Sequence, residues 1–209
     1  MEKNHYNLCI SVLKKFDEAM ILSDVVLVGS WCALFYEKYF SEINYTYSLR
    51  TRDVDFLVPI PVRGKNRIDI PELLSPLGFS IAFKSSKGYI KLEHTDLIIE
   101  FLVPEKGRGS DKPYKLNNFC LNAQPLRFLS FLLENVIVLT VEGINIKVPH
   151  PANYALHKFI ISQRRKNPEK TQKDRESAVK VLLALVEKGE ADVIKNVLAS
   201  VPDKWRKKI

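Results

Sequence analysis

One short pattern constrains the fold of this chain more than any other feature. An apolar, β-branched strand over residues 25–28 stops abruptly at Gly29 and Ser30, and residues 31–40 then have helical composition. A second strand follows at 53–58, where carboxylates alternate with apolar residues. Strand, tight turn, helix and second strand in this order predict an α+β fold built on a mixed sheet.

Further periodic segments extend this prediction. Apolar residues recur at helical spacing over 5–22, and Asp69 followed by a proline predicts a short helix through Leu74. Alternating and apolar runs predict more strands, so that the sheet has at least four, and Glu142-Gly143 has the composition of a two-residue hairpin turn. The expected additional strands are 79–84, 89–93, 97–103, 136–141 and 144–148.

From residue 150 onward the pattern becomes helical. A helix is expected to start at His150-Pro151, a second to run from Thr171 to Gly189, and a third to cover 190–199. We therefore divide the chain into a mixed α/β catalytic part, 1–148, and a helical part, 149–209.

Charge differs between the two ends of the chain. Residues 1–104 hold 12 Lys or Arg against 13 Asp or Glu, whereas residues 105–209 hold 20 against 11. This basic excess favours a polyanionic partner, nucleic acid before membrane, although a basic solvated surface is the alternative.

Composition excludes several classes of protein. With 46% apolar and 27% charged residues the chain is neither disordered nor of low complexity. It contains no apolar run of 18 residues and begins without a signal-peptide pattern, so we expect a cytoplasmic protein. Cys9, Cys32 and Cys120 show no paired or metal-binding spacing and are expected to be reduced packing residues.

Two carboxylates on the second strand carry the chemistry. Asp53 and Asp55 project from the same strand face, roughly 6 to 7 Å apart. The apolar residues around them offer no solvation, so a cation is needed to balance their charges. An oxygen-only ligand set favours Mg²⁺, with Mn²⁺ as the second choice. The alternative is a strand end with two solvated acids.

A third acid and a phosphate site would complete such a centre. Glu100 interrupts an otherwise apolar strand and is the best third ligand, although it could instead pair with Lys91 on the neighbouring strand. Gly29 permits close approach of a ligand to the backbone, and the helix amides after Ser30 favour phosphate. Ser30 has no histidine placed to activate it, so we interpret it as a phosphate ligand.

These residues resemble the nucleotidyltransferase superfamily typified by polymerase beta, with its Gly-Ser turn, Asp-x-Asp strand and later strand acid. The resemblance implies a mixed sheet flanked by helices, a triphosphate held by Gly29 and Ser30, and metal ions bound by Asp53, Asp55 and Glu100. One departure is that 22 residues separate Ser30 from Asp53. This is roughly double the usual interval in the family, and it implies an insertion at 41–52.

Arg50-Thr51-Arg52 before the acids is similar to sequences in the bacterial AbiEii-type toxin branch of that superfamily. In that branch a lysine and an aspartate on successive helices join the catalytic site. Lys158 and Asp174 stand in similar places, with Lys158 also expected to contact the nucleotide, although the two could simply form an interhelical salt bridge. The branch further implies a toxin restrained by an antitoxin protein.

The resulting hypothesis is a metal-dependent enzyme that moves a nucleoside monophosphate from an NTP, such as ATP, to a hydroxyl and releases pyrophosphate. The basic C-terminal part suggests RNA, plausibly tRNA, as acceptor. Two alternatives are transfer to a small molecule, as in aminoglycoside-modifying relatives, and a catalytically silent nucleotide- or RNA-binding protein. The expected RNA-contacting residues, which could also be a solvated helix end, are Arg164, Arg165, Lys166 and Lys173.

Overall fold

The computed structural model describes residues 2–49, 51–62, 67–105, 107, 109 and 112–206. Arg50 of the Arg-Thr-Arg motif and part of the 104–115 loop lie outside the described residues. The helices are α1 (Glu2–Glu18), α2 (Gly29–Tyr39), α3 (Ile70–Leu74), α4 (Pro151–Ser162), α5 (Pro168–Glu187), α6 (Ala191–Ser200) and α7 (Asp203–Arg206). The strands are β1 (Val26–Val28), β2 (Asp53–Leu57), β3 (Ser80–Lys84), β4 (Tyr89–Glu93), β5 (Ile98–Pro104), β6 (Tyr114–Leu116), β7 (Leu121–Leu126), β8 (Val136–Val141) and β9 (Ile144–Pro149).

Seven strands form one mixed sheet, which confirms the predicted fold class. Its main path runs β1-β2-β5-β4-β3, and β7 joins β5 while β6 joins β7. The central pair, β2 and β5, is parallel, and β4 and β7 occupy the same edge of β5 at its two ends. The remaining strands, β8 and β9, form a separate hairpin through the predicted Glu142-Gly143 turn.

The two faces of the central strands have different neighbours. On one face, Phe16 of α1 packs against Phe56, with 5.1 Å between ring centroids, and also against Phe101. Because side chains alternate along a strand, the carboxylates of Asp55 and Glu100 fall on the opposite face. There a small apolar cluster that includes Val28 and Leu102 lies beside them.

The helices α4 and α5 are each capped by the side chain of the residue that directly precedes them. His150 Nδ1 accepts a hydrogen bond from the Ala152 amide at 3.2 Å, and Asn167 Oδ1 accepts one from the Lys170 amide at 3.2 Å. A proline at the first position of α4 and of α5 needs no amide partner. The core contains side chains from both α4 and the sheet. The division at residue 148 stays a prediction.

Several predicted boundaries were wrong. The first helix ends at Glu18 rather than residue 22, and α2 begins at Gly29 itself. The helix α5 begins at Pro168 rather than Thr171, because Asn167 caps it. The strands β6 and β7 were not predicted, since Leu121–Leu126 contains a proline and lacks a clear apolar alternation. No helix among the described residues is long and apolar enough to cross a bilayer.

Candidate active site

The turn between β1 and α2 lies directly against a catalytic candidate. Gly29 has φ +75°, a left-handed conformation that glycine adopts without steric penalty. A Cβ placed on Gly29 would come within 2.6 Å of Asp55 Oδ2. Only a residue without a side chain therefore allows the backbone of the turn to approach this carboxylate so closely.

The three predicted acids share one face of the sheet. In the parallel β2-β5 pair, Asp55 lies opposite Glu100, and Asp53 lies two residues before Asp55 on the same strand. Val28, the last residue before the Gly-Ser turn, lies opposite Asp55 on the other side. Strand register therefore brings the turn and the acids into one row, as the sequence predicted.

The carboxyl of Asp55 has a strongly raised pKa. Burial raises the pKa of its carboxyl to about 7, and the nearby carboxylates of Glu100 and Asp53 raise it further, against the opposing effect of Lys158 and Lys84. With its pKa raised in this way, the Asp55 carboxyl is partly protonated near pH 7. It ionises fully when a bound cation offsets the negative charges of Glu100 and Asp53.

Glu100 does have a cation partner, but not the one considered from the sequence. Lys84 Nζ, from the edge strand β3, donates to Glu100 Oε2 at 2.5 Å and to Gln124 Oε1 at 3.3 Å. Lys91 lies opposite Glu100 in the register, yet its ammonium pairs with Glu93 at 3.3 Å. The alternative pairing of Glu100 with Lys91 was therefore wrong, and Lys84 is a site residue that the sequence analysis missed.

The other wall of the site comes from α4 and α5. Asp174 accepts a hydrogen bond from Lys158 Nζ at 2.7 Å and one from Arg165 Nε at 2.9 Å. Burial alone would raise the pKa of Asp174, but these two cations hold it below its ordinary value. The interhelical pairing of Lys158 with Asp174 is thus present, and it fixes the position of both cations.

These walls enclose one cleft that gathers most of the predicted residues. Its lining includes Gly29, all three acids and both cations that Asp174 holds. The predicted residues outside the described lining are Ser30, Asp174 and the expected RNA contacts Arg164, Lys166 and Lys173. The lining residues that the sequence analysis had not proposed for the site include Lys84, Gln124, Tyr154, His157 and Lys170.

His157 is buried, and its Nε2 has no hydrogen-bond partner among the described residues. Burial, reinforced by the neighbouring Lys158, lowers its pKa to about 3. The ring is therefore neutral near pH 7 and does not serve as a proton-donating imidazolium there.

Comparison with known proteins now identifies the family. A family model described as nucleotidyltransferase matches residues 7–201. The chain belongs to this family. No curated protein resembles it closely enough to count as a match.

Two solved structures are similar to this nucleotidyltransferase. The crystal structure of ANT(2")-Ia in complex with adenylyl-2"-tobramycin has a TM-score of 0.52 at 13% identity, and the alignment covers 97% of each chain. A nucleotidyltransferase-like protein from Paracoccidioides brasiliensis has a TM-score of 0.46 at 14% identity, over 84% of this chain and 75% of that one. The superfamily prediction is confirmed, and the assignment to the AbiEii-type branch stays a prediction.

The donor set of the cleft could hold a hard divalent cation. Asp53, Asp55 and Glu100 offer only oxygen atoms, and Gly29 leaves the space beside Asp55 Oδ2 free of a side chain. Within the described ranges, no three His, Cys, Asp or Glu side chains are grouped closely enough to form a ready metal cage. Lys84 instead neutralises Glu100.

Proposed function

We propose that this nucleotidyltransferase moves a nucleoside monophosphate from an NTP to a hydroxyl group, with release of pyrophosphate. The observation that carries the proposal is the division of charge within one cleft. Asp53, Asp55 and Glu100 line the sheet wall, and Lys158 and Arg165 line the helical wall. A triphosphate with its divalent counterion matches both walls at once.

The sheet wall would bind the cation. Asp53, Asp55 and Glu100 would hold Mg²⁺ or Mn²⁺, which when bound supplies positive charge to the triphosphate and lowers the pKa of the attacking hydroxyl. Asp55 would lose its proton on binding, because its raised pKa reflects burial and neighbouring carboxylates that the cation offsets.

The turn and the helical wall would bind the phosphates. The amides of Gly29 and Ser30 stand at the start of α2, whose N-cap makes no side-chain hydrogen bond, and such a helix N-terminus favours phosphate. Lys158 and Arg165, both oriented by Asp174, would stabilise negative charge that develops on the leaving pyrophosphate. Phosphoryl transfer depends mainly on such positioning and electrostatics, so no covalent protein nucleophile is required.

RNA is the acceptor that we propose. The C-terminal basic excess and the exposed cations at the junction of α4 and α5, among them Arg164 and Lys166, favour a polyanion. A toxin role restrained by an antitoxin protein, as in AbiEii-type proteins, is the cellular form this proposal would take.

A small-molecule acceptor is the second candidate, because the fold neighbour ANT(2")-Ia was crystallised with adenylyl-2"-tobramycin. A cationic acceptor of this class would be attracted by an excess of acidic side chains. Lys158, Arg165 and Lys170 along the helical wall argue against such an acceptor.

Transfer can be tested with each labelled NTP in turn, Mg²⁺ or Mn²⁺, and either total cellular RNA or an aminoglycoside panel. We expect label in an RNA band with the wild-type chain and not with Asp53→Ala or Asp55→Ala. Circular dichroism of both variants checks that they remain folded.

Retention of more than about 5% of transfer in both variants would contradict the role of the acids, since loss of such a charge-stabilising group costs roughly 100-fold or more. Label in the aminoglycoside alone would replace the RNA acceptor by the second candidate. NTP binding without any transfer would support a catalytically silent binding protein.

A further inference from the structure

A second groove, outside the catalytic cleft, combines aromatic rings with cations. We call it the aromatic groove and define it by Arg127, Phe128, Arg164, Lys204 and Trp205. These side chains come from the segment after β7, the turn between α4 and α5, and the short helix α7. Of these residues, Arg164 alone enters the proposed function, as one of the cations that favour a polyanionic acceptor.

The rings and cations of the aromatic groove are in contact with one another. Phe128 and Trp205 meet edge to face with 4.8 Å between ring centroids, and the Arg164 guanidinium lies 5.3 Å from the centre of the Phe128 ring. Arg127 pairs with Glu105 at 2.6 Å. Arg164 and Lys204 form no ion pair with any residue that the structure describes, so they supply the uncompensated positive charge of the groove.

The elements that carry the two aromatic rings of the groove are held in place by specific contacts. Arg206, the last residue of α7, donates hydrogen bonds to the carbonyl oxygens of Ala199 at 2.8 Å and Val201 at 3.1 Å. Phe128 has φ +68°, a left-handed conformation that is costly for a bulky side chain, so surrounding contacts must hold it there.

Residues that line the aromatic groove are chain neighbours of residues that line the catalytic cleft. Leu126 and Leu129 line the cleft, while Arg127 and Phe128 between them line the groove. On α4's side, Arg165 lines the cleft and the preceding residue, Arg164, lines the groove. Because consecutive Cα atoms are about 3.8 Å apart, the linings of the cleft and the groove adjoin at these two places, and an extended polymer is the kind of ligand that contacts both.

We propose that the aromatic groove binds the single-stranded segment of an RNA acceptor next to its reacting hydroxyl. This inference rests on the proposed transferase function and adds the site that holds the acceptor. Cations alone would bind any polyanion, but aromatic faces beside an arginine plane suit unstacked bases, which double-stranded nucleic acid and simple polyanions do not offer.

Tryptophan fluorescence reports on this groove selectively. The chain has two tryptophans, and Trp31 is fully buried whereas Trp205 is half-buried in the groove. We expect a single-stranded oligoribonucleotide, added without NTP or metal, to quench the emission. A duplex of the same sequence and heparin should quench much less at equal charge concentration.

Substitutions separate stacking from charge when binding is followed by anisotropy of a labelled oligoribonucleotide. Trp205→Ala and Arg164→Ala should each weaken binding about tenfold, and Arg164→Ala should also lower the slope of log affinity against log salt by about 0.7. Arg164→Lys keeps the charge, so it should weaken binding with the salt slope unchanged. Lys195→Ala, an exposed cation on α6, is the matched control and should change neither quantity.

The outcomes distinguish this proposal from the transferase proposal. Equal quenching by heparin, or full affinity in both Arg164→Lys and Trp205→Ala, would overturn the stacking site. Transfer to a small molecule without any oligoribonucleotide binding would overturn the groove while leaving nucleotidyl transfer intact. Groove-dependent binding in an Asp53→Ala chain that transfers nothing would support the groove independently of catalysis.

Discussion

The two walls of the cleft treat their carboxylates in opposite ways. On the sheet wall, Lys84 pairs with Glu100, and burial with the neighbouring carboxylates raises the pKa of Asp55 to about 7. On the helical wall, the carboxylate of Asp174 pairs with both Lys158 and Arg165, and its pKa is lowered despite burial.

This difference predicts that the sheet wall binds a cation, whereas Asp174 on the helical wall holds neighbouring side chains in position. The sheet wall has too little positive charge for its acids, so it gains free energy from an added cation. On the helical wall the carboxylate of Asp174 is already neutralised by Lys158 and Arg165, so Asp174 is best explained as a positioning residue for these two cations. Four substitutions test this contrast.

The largest effect is expected at the turn beside the acids. Gly29→Ala would place a Cβ 2.6 Å from Asp55 Oδ2 and displace either the turn or the carboxylate. Because small misplacements of reacting groups are costly, nucleotidyl transfer should fall about 100-fold or more in a single-turnover assay.

Gly143→Ala is the matched control for this substitution. Gly143 has φ +79° in the β8-β9 turn, and an added Cβ would meet nothing within 4 Å. It therefore imposes the same backbone strain without the contact. Equal losses of transfer in the two variants would show that strain, and not the approach to Asp55, limits activity.

Removing the carboxylate of the helical wall should destabilise the fold. Asp174→Ala leaves Lys158, whose side chain is 12% exposed, without its partner. Loss of one member of a buried ion pair costs about 3 kcal/mol or more, measurable by urea unfolding at pH 7.5. Asp192→Ala, in an exposed pair with Lys195, should leave the midpoint unchanged. An unchanged midpoint for Asp174→Ala would contradict the supporting role.

Removing the carboxylate of Asp55 from the sheet wall should instead stabilise the metal-free fold. Since the pKa of Asp55 rises from 3.8 to about 7 in the folded chain, the native state binds more protons than the unfolded state between these values. The contribution of protonated Asp55 to the stability of the fold is therefore present at low pH and is lost as pH rises through about 7. Asp55→Asn should then stabilise the metal-free protein at pH 8 by on the order of 2 kcal/mol.

The check is urea unfolding of the metal-free chains at pH 8 and pH 5 with a chelator present. The difference between Asp55→Asn and wild type should shrink at pH 5, where Asp55 is already protonated in the folded chain. A stabilisation of equal size at both pH values would show that burial of the charge is not its cause.

The sequence predicted the parts of this site that depend on local rules. Alternation along a strand put Asp53 and Asp55 on one face, and the Gly-Ser turn before a helix is a pattern of adjacent residues. Glu100 was predicted by a second local rule, because a charged residue within an apolar strand is costly unless it is used.

Contacts between side chains on different strands were not predictable in the same way. Lys91 does lie opposite Glu100, as the hairpin pairing suggested, but Lys84 reaches Glu100 from an edge strand two strands away. Gln124 lies on β7, whose proline and polar residues gave no strand signal. The predicted roles of all the site residues, in catalysis, metal binding, nucleotide binding and RNA binding, stay predictions until such experiments are done.

The smallest expected effect concerns the one cation on the sheet wall. Lys84→Met removes the ammonium that neutralises Glu100 and repels any incoming metal ion. Partly exposed ion pairs contribute about 1 kcal/mol or less, so Mn²⁺ should bind up to about fivefold more tightly in calorimetry at pH 7.5.

Lys91→Met is the control, because Lys91 stands opposite Glu100 but pairs with Glu93. Equal tightening in both variants would show that Mn²⁺ responds to net charge rather than to the Lys84 contact. Weaker Mn²⁺ binding in Lys84→Met would contradict competition altogether. Tightening confined to Lys84→Met would mean that Lys84 holds the place of a cation on the sheet wall until the metal-bound nucleotide arrives.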